Sequence, residues 1–399
     1  MSNDKPYRVR VARCDHRASY EEIYETLCRV VDPLDRAKQK LKAARKIVIK
    51  TNMAMRPDRI AYFEGRRREL VDDDVMRAAL TYLRENSSAQ LVATDTQFGE
   101  GGINYLPLLE EFGVGYVDSD GPVQIYDVPG GGIMFSQYHL SPVFADADAV
   151  VSVAKMKSHL FAGVTLCMKN LFGLCPRPPL GRPRHYFHHF IRLSYVFPDL
   201  ALLTQPCLNI IDALVGQTGR EWGGRGRIAN TLVAGDHTIA TDAVGAWLMG
   251  NDPASDWPTP PFRRERNPIR VAADHGFGTV DLDEIDLETE VQPPVAEFDS
   301  DETDPPEVIY SWRKTACEQA LFYRDNRKKI SEKYAGQYIF LQDREVVWHG
   351  MDLSDLGSRR DLSGPQKDRA LWLKWVDPEE KEGEHFEIYE PILRQLEKT

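Results

Sequence analysis

Short runs of aliphatic and β-branched residues alternate with helical patterns over the first 250 positions of the chain. Each run is continuously apolar and ends in polar residues, which is typical of a strand buried on both faces of a parallel sheet. Helical periodicity follows in Val71–Asn86 and in His237–Met249. The alternation predicts an α/β fold, in which helices cover both faces of a mainly parallel sheet. The strand-like runs are Lys46–Asn52, Leu91–Asp95, Gly115–Asp118, Ala149–Ala154, Leu208–Asp212 and Thr231–Asp236.

Polar side chains gather where these predicted strands end. Lys50 and Asn52 close the first run, Asp95 closes the second, and Lys155 and Lys157 follow the fourth. In open parallel sheets, ligands bind beyond the carboxyl ends of the strands. One polar residue in such a place is commonly a turn residue, but several that converge predict a binding site.

The pattern changes after Gly250, and it predicts three regions. Residues 1–290 form the α/β domain, and residues 291–307 are an acidic, proline-rich linker. Residues 308–399 are an accessory α+β module, with a helix at Val308–Lys333 and a β-hairpin within Tyr334–Gly350. We find no catalytic constellation in this module.

Composition narrows the partners and the compartment. The chain has 399 residues and a net charge of −11, which argues against a nucleic-acid partner. Its six cysteines are widely spread without a C-x-x-C pair, as in a reducing compartment. No signal-peptide pattern stands at the N-terminus, and no apolar stretch approaches the roughly 18 residues of a membrane helix. We therefore expect a cytoplasmic protein without a membrane partner.

The segment Ala154–Phe190 concentrates the residues that carry chemistry. So much cationic capacity directly after a buried strand predicts an anionic small-molecule ligand, either a carboxylate or a phosphate. His159 and Lys169 are flanked by apolar or small residues, so we expect them to be buried and to have a function. His188 and His189 are instead expected to be solvated. The basic residues are Lys155, Lys157, Lys169, His159, His185, His188, His189, Arg177, Arg182 and Arg184.

Three further features suggest ligands or movement. His185 and His189 have the i, i+4 spacing that places two imidazoles on one helix face, although the glutamate of an H-E-x-x-H motif is absent. The glycine-rich Asp95–Gly102 follows a strand like a phosphate-holding turn, but it matches no dinucleotide or P-loop motif. Gly216–Gly226 is interpreted as a lid over the site or as a plain surface connector.

The residues around Lys169 resemble the signature of the family known as domain of unknown function 362. The similarity lies in Lys155–Gly173 (KMKSHLFAGVTLCMKNLFG), and continues in Lys50–Asn52, Asp95–Gly102, Asp212–Gly226 and Gly235–Pro253. Many members of that family carry a ferredoxin-like iron–sulfur segment. This chain lacks the cysteines for one, so no built-in cluster is expected.

A more distant similarity is to the nickel-pincer lactate racemases. The pattern from His159 to Lys169 resembles their H-x-x-A-G-F-[ST]-G-G-x-K segment, in which the lysine carries the pincer nucleotide and the histidine binds nearby. A nickel-ligating histidine lies sixteen residues beyond that lysine, and His185 stands there in this chain. This chain differs from the racemase pattern at two places. Leu166–Cys167 replaces the glycine pair, and Met55–Pro57 matches only part of the D-D-x-T-R-P motif.

These observations favour an enzyme that acts on a small carboxylate-bearing substrate by proton or hydride transfer at carbon. The roles expected are Lys169 as covalent or electrostatic anchor, His159 as general acid/base with a pKa suited to neutral pH, and His185 as second base. A divalent metal, nickel or iron, would be held by His185 and His189. Two alternatives stay open: an oxidoreductase served by a separate iron–sulfur partner, and a non-catalytic metabolite-binding protein. A homo-oligomer is also possible. The residues expected to hold the anion are Lys50, Asn52, Lys155, Lys157, Thr165, Asn170 and Asp95.

Overall fold

The computed structural model describes residues 5–53, 55–96, 105–177, 182–302, 304–353 and 372–398. The glycine-rich turn expected at Asp95–Gly102 lies outside these residues beyond Thr96. The strands are β1 (Tyr7–Arg13), β2 (Lys46–Thr51), β3 (Tyr62–Phe63), β4 (Arg66–Arg67), β5 (Gln90–Asp95), β6 (Gly115–Asp118), β7 (Gln124–Asp127), β8 (Gln137–Leu140), β9 (Ala149–His159), β10 (Gly163–Thr165), β11 (Leu208–Thr218), β12 (Arg225–Gly235), β13 (Ile285–Thr289), β14 (Tyr338–Gln342), β15 (Glu345–Gly350) and β16 (Trp372–Trp375). The α-helices are α1 (Tyr20–Val31), α2 (Asp35–Ala43), α3 (Asp73–Asn86), α4 (Leu106–Glu111), α5 (Cys167–Asn170), α6 (Arg184–Phe187), α7 (Arg192–Thr204), α8 (Thr238–Leu248), α9 (Pro268–Asp274), α10 (Pro306–Tyr334) and α11 (Tyr389–Leu396).

The main sheet confirms the predicted α/β fold. Its strand order is β13-β1-β12-β11-β9-β2-β5-β6, with β10 paired to β9 at the margin. The pairs from β11 through β9, β2 and β5 to β6 are parallel. Strand β12 runs antiparallel to both β1 and β11. Apolar side chains of α1 and α3 pack with one face of the sheet, and those of α7 and α8 pack with the other.

Local signals explain where the helices begin. Ser19 accepts a hydrogen bond from the backbone of Glu22, whose carboxylate accepts one from the Ser19 backbone, so the two residues form a capping box at α1. Asp72 caps α3 by accepting from the Asp74 backbone. Both helices then bury an apolar stripe, with Ile23 and Leu27 in α1 at zero exposure. The strands they cover are almost wholly buried, as the continuous apolar runs predict.

Two strands are longer than the sequence pattern indicates. Strand β9 continues through both lysines to His159, because β10 folds back and pairs Thr165 with Lys157. Strand β11 continues to Thr218, so the predicted lid is mostly a hairpin with a turn at residues 219–224. Position 226 of this hairpin requires glycine, because a Cβ there would lie 2.3 Å from the Phe63 ring. The turn of this hairpin carries its side chains toward the carboxyl edge of the sheet.

The proline-rich segment 291–307 packs along the β11–β12 hairpin. Val291 and Phe298 are buried in the core, although the acidic composition predicts a linker. The Gly219 backbone donates to Asp299, and Asp301 donates back to Gly219. The described part of this segment therefore supports the turn at residues 219–224.

The C-terminal region contains the predicted hairpin and long helix. Strands β15, β14 and β16 form a separate antiparallel sheet, and α10 and α11 pack together beside it. Asp343 and Arg344 turn the hairpin with φ of 50° and 66°, as two-residue hairpin turns require. Among the described residues, the structure has no helix with the length and apolarity needed to cross a membrane.

A buried ionic cluster joins this region to the α/β part. The Arg192 guanidinium donates to both carboxylate oxygens of Glu384, at 2.9 and 3.0 Å. Lys374 donates to Glu384 at 2.8 Å, and it also contacts Glu382, which in turn pairs with Arg182. Because charges this deeply buried must be paired to be tolerated, the cluster fixes how the two regions meet.

Replacing Glu384 with alanine should destabilise the protein by roughly 3–5 kcal/mol, because it leaves Arg192 and Lys374 buried with less compensating charge. Urea unfolding measures the change as a lower midpoint. The control is Glu379→Ala, which breaks an exposed ion pair with Lys381 and should leave the midpoint unchanged. Equal midpoints for Glu384→Ala and wild type would contradict the assigned role of the cluster.

Candidate functional site

A cavity of about 200 Å³ lies beyond the carboxyl ends of the parallel strands β2, β5 and β9. This is the edge where the polar strand ends were expected to meet. Its size suits a small molecule rather than a nucleotide. The lining residues are Lys50, Asn52, Asp95, Lys157, His159, Thr165, Lys169, Asn170, Phe172, Gly173, Arg184, His188, Leu193, Phe197, Glu221 and Trp222.

The floor of the cavity is a closed network around Lys50. Its ammonium donates to the Asn170 side chain and the Thr51 carbonyl, both at 2.9 Å, and pairs with Asp95 at 3.2 Å. Asn170 also donates to the Lys50 carbonyl at 3.0 Å. These groups satisfy one another, so Lys50 and Asn170 act mainly as framework although they line the cavity.

Helix α5 holds Lys169 and is fixed from below by a buried carboxyl group. Asp242 accepts from the backbone N–H groups of Cys167 and Met168, at 2.8 and 2.7 Å. Burial raises the pKa of Asp242 to about 7, against these hydrogen bonds. Gly173 follows closely, and a Cβ there would lie 2.6 Å from the Asp95 carboxylate and 2.8 Å from the Lys50 side chain. Only glycine allows this close approach.

Lys169 is a cation of the cavity without a partner among the residues that the structure describes. Its ammonium makes no hydrogen bond or ion pair with any residue that the structure describes, and it lies 5.7 Å from the Phe172 ring centroid and 6.0 Å from that of Phe197. The side chain is half-buried and lines the cavity. Burial lowers its pKa to about 8, and Arg184 and Lys50 act in the same direction against Glu221.

Lys157 is the second lysine with a readily lost proton. It donates to the carbonyls of Glu69 and Glu221, at 2.8 and 3.2 Å, and lies 4.2 Å from the Trp222 ring centroid. Burial lowers its pKa to about 7, with a further contribution from Lys169. Both amines therefore change protonation state near neutral pH.

His159 is a neutral hydrogen-bond donor in this geometry. Its Nδ1 accepts from the backbone N–H groups of Phe161 and Ala162, both at 3.1 Å, so Nε2 carries the proton. That Nε2 lies 3.9 Å from the Glu221 carboxylate, too far for a direct hydrogen bond. Burial lowers the pKa of His159 to about 3. The expectation of a histidine that titrates near pH 7 is therefore wrong, because the ring is desolvated.

Glu221 supplies the negative charge beside the two lysines. Burial alone would raise its pKa, but the His159 ring, the Leu160 N–H and the Lys169 ammonium together lower it to about 2. One carboxylate oxygen accepts from Leu160 at 3.1 Å. The carboxylate stays ionised at neutral pH, and its second oxygen faces His159 across a gap.

The Thr165 hydroxyl is available for a hydrogen bond to a ligand. The residue lines the cavity and is 2% exposed, yet its hydroxyl oxygen has no hydrogen-bond partner among the described residues. Buried hydroxyls are normally paired, so a ligand atom is a natural partner here. Lys169, Thr165 and the His159 Nε2–H are three hydrogen-bonding groups that converge on one small space.

The structure brings most of the predicted site residues to this cavity, but not all of them. His185 is exposed and His189 is half-buried, and neither lines it. Lys155 is fully buried, with its ammonium 2.9 Å from the Asp212 carboxylate, so it is committed to that ion pair. His188, expected to be solvated only, lies at the cavity mouth and packs its ring 4.8 Å from that of Phe161.

Sequence reasoning missed Glu221 and Trp222, and it gave Arg184 no specific role. Both of the missed residues lie in the turn after β11, where a carboxylate between glycines was the available signal. Arg184 donates to the carbonyls of Gly173 and Cys175, at 2.9 and 2.8 Å, and thereby fixes the segment after α5.

The predicted metal ligands, His185 and His189, both lie outside the lining of the cavity. Among the residues described, no three side chains of the histidine, cysteine or carboxylate type are arranged to hold a metal ion. His159 already uses Nδ1 for two backbone groups, and His185 lies outside the cavity. These residues therefore do not fit a pincer-nickel centre.

Comparison with known proteins supports the family assignment. The pattern of the family described as a domain of unknown function (DUF362) matches residues 47–247, so the chain belongs to this family. It is also 25% identical over 252 residues to a thylakoid-associated protein of Synechocystis sp., covering 59% of this chain and 74% of that protein. No solved structure matches the chain. The similarity to lactate racemases stays a prediction.

The low pKa of Lys169 predicts unusual reactivity. In reductive methylation with formaldehyde and cyanoborohydride, only the neutral amine reacts. The rate at Lys169 should rise as pH increases and level off above about pH 8. Peptide mass spectrometry of samples taken at each pH measures that rate.

The exposed Lys381 serves as the comparison in the same digest, because the Glu379 carboxylate raises its pKa. Its methylation should keep rising well above pH 9. If the profiles of Lys169 and Lys381 superimpose, the electrostatic description of the cavity is wrong.

Proposed function

We propose that this protein is an enzyme that transfers a proton at carbon in a small carboxylate-bearing substrate. The observation that carries the proposal is the unpartnered Lys169 ammonium in a cavity with an excess of cationic side chains. Lys50, Lys157, Lys169 and Arg184 face Asp95 and Glu221 there, which leaves two positive charges when all are ionised. A carboxylate ligand would neutralise this excess.

The division of roles follows from the protonation states. Lys157 and Lys169 have pKa values of about 7 and 8, so either amine can accept or return a proton at neutral pH. His159 donates through Nε2 to a ligand oxygen, because its Nδ1 is committed to backbone groups. Thr165 offers its hydroxyl to the same ligand. This arrangement suits an isomerase of the racemase or epimerase type.

Two alternatives use the same cavity differently. An oxidoreductase would pass electrons to a separate iron–sulfur partner, and a binding protein would hold the anion without turnover. We favour the enzyme because two amines with pKa values near neutrality are of little use to a passive clamp, which needs permanently charged groups.

A cytoplasmic location is part of the proposal. All six cysteines are free thiols, as a reducing compartment would keep them. The relative's name associates that protein with thylakoids, so fractionation of cells expressing the full chain is the direct check. Recovery with membranes after a high-salt wash would contradict the cytoplasmic assignment.

Solvent-deuterium exchange tests the proposed reaction. We expect the wild-type protein to incorporate deuterium at carbon into at least one member of a panel of 2-hydroxy and 2-oxo carboxylates, followed by proton NMR. Lys169→Met should lower the exchange rate by about 100-fold or more, because it removes the amine that lies free in the cavity.

Lys381→Met is the matched control, since it removes an exposed lysine far from the reacting groups and should leave the rate unchanged. Urea unfolding of each variant verifies that the fold is retained. Carboxylates that bind by calorimetry without any exchange would overturn the proposal in favour of the binding protein. Dye reduction without exchange would favour the oxidoreductase.

A further inference from the structure

We infer that Lys169 forms an imine with the carbonyl group of a 2-oxo acid whose carboxylate lies between Lys157 and Thr165. This inference rests on the proposed function and deepens it, because it names the substrate class and the covalent step. It follows from the one lysine amine of the cavity that the described residues leave uncommitted and from the groups placed around it.

The geometry separates a nucleophile from an anion holder. Lys169 lies beside the packed rings of Phe172 and Phe197 and has no protein partner among the described residues, so its amine is available to attack. Lys157 and Thr165 are direct cross-strand partners on β9 and β10. Side chains paired in this way lie on the same face within roughly 5 Å, which lets both contact one carboxylate.

The state of the amine supports attack at neutral pH. Burial and the neighbouring cations Arg184 and Lys50 hold the pKa of Lys169 at about 8, so about one tenth of the amine is the neutral nucleophile at pH 7. Desolvation beside another cationic group is a general way to activate a lysine for imine formation. Phe172 and Phe197, which pack edge-to-face with centroids 5.2 Å apart, give the amine an apolar wall on one side.

The covalent step balances without a further reactant. The Lys169 nitrogen adds to the carbonyl carbon, and a proton moves from nitrogen to the former carbonyl oxygen to give a carbinolamine. That hydroxyl leaves as water after receiving a proton, and the carbon–nitrogen double bond forms. The Lys157 ammonium supplies this proton and becomes a neutral amine, while the His159 Nε2–H donates a hydrogen bond to the departing oxygen.

The protonated imine then makes the neighbouring C–H acidic. Lys157, which is a neutral amine after giving its proton to the departing hydroxyl, takes the proton from C3 while Thr165 keeps its hydrogen bond to the carboxylate. The imine becomes an enamine, which is proton transfer at carbon as proposed above. Return of a proton to C3 and hydrolysis of the imine by water release the 2-oxo acid and free Lys169. Electrons are only redistributed, so no oxidant or reductant is required.

Borohydride trapping tests the covalent step directly. The full-length protein is incubated with pyruvate or glyoxylate and then with cyanoborohydride, and its intact mass and peptides are measured. We expect an added mass equal to that of the acid less one oxygen atom, located on Lys169. Lys169→Arg keeps the positive charge but cannot form the imine, so it should bind pyruvate and give no adduct.

Lys381→Arg is the control variant and should give the wild-type adduct. Pyruvate that binds by calorimetry without any adduct would overturn the imine while leaving the proposed function standing. An adduct on another lysine would overturn the assignment to Lys169. If pyruvate and glyoxylate neither bind nor give an adduct, the proposed substrate class is wrong. If no carboxylate in the exchange panel incorporates deuterium, the proposed function itself is wrong.

Discussion

Burial of lysine ammonium groups at the carboxyl edge of the sheet is the constraint on which the site depends. A buried charge must find a partner, lose its proton or serve a ligand. Lys155 takes the first course through Asp212, and Lys50 does so through Asp95. Lys169 has no such partner among the described residues, which is the basis for proposing that the cavity around it binds an anion.

Buried cations are instead fully paired with carboxylates where the C-terminal region packs against the α/β part. Arg182, Arg192 and Lys374 face Glu380, Glu382 and Glu384, so three cations meet three carboxylates in one buried cluster. Fully matched charge gives specificity of docking and leaves no capacity for a ligand. The excess of positive charge in the cavity, rather than burial itself, therefore distinguishes a binding site from a structural joint.

Local patterns predicted the strands and the edge where they end, because continuous apolar runs and their polar termini are encoded over a few residues. The placement of Lys50, Asp95, Lys157, His159 and Lys169 followed from that edge. What the pattern could not predict was set by distant pairing. Strand β10 extends β9 through His159, and Phe298 fixes the hairpin that carries Glu221. His188 rather than His185 reaches the cavity because α6 ends at Phe187, which turns the chain before His188.

Helix α5 shows how a weak local element can hold a reactive group precisely enough for chemistry. Four residues cannot form a stable helix alone, since nucleation is unfavourable. Asp242 accepts the two N–H groups at its start, and Asn170 ties its end to β2 and β9. Lys169 stands between these two anchors. The backbone under the amine is therefore rigid while the side chain above it is free, which is the combination that a nucleophile aimed at a small ligand needs.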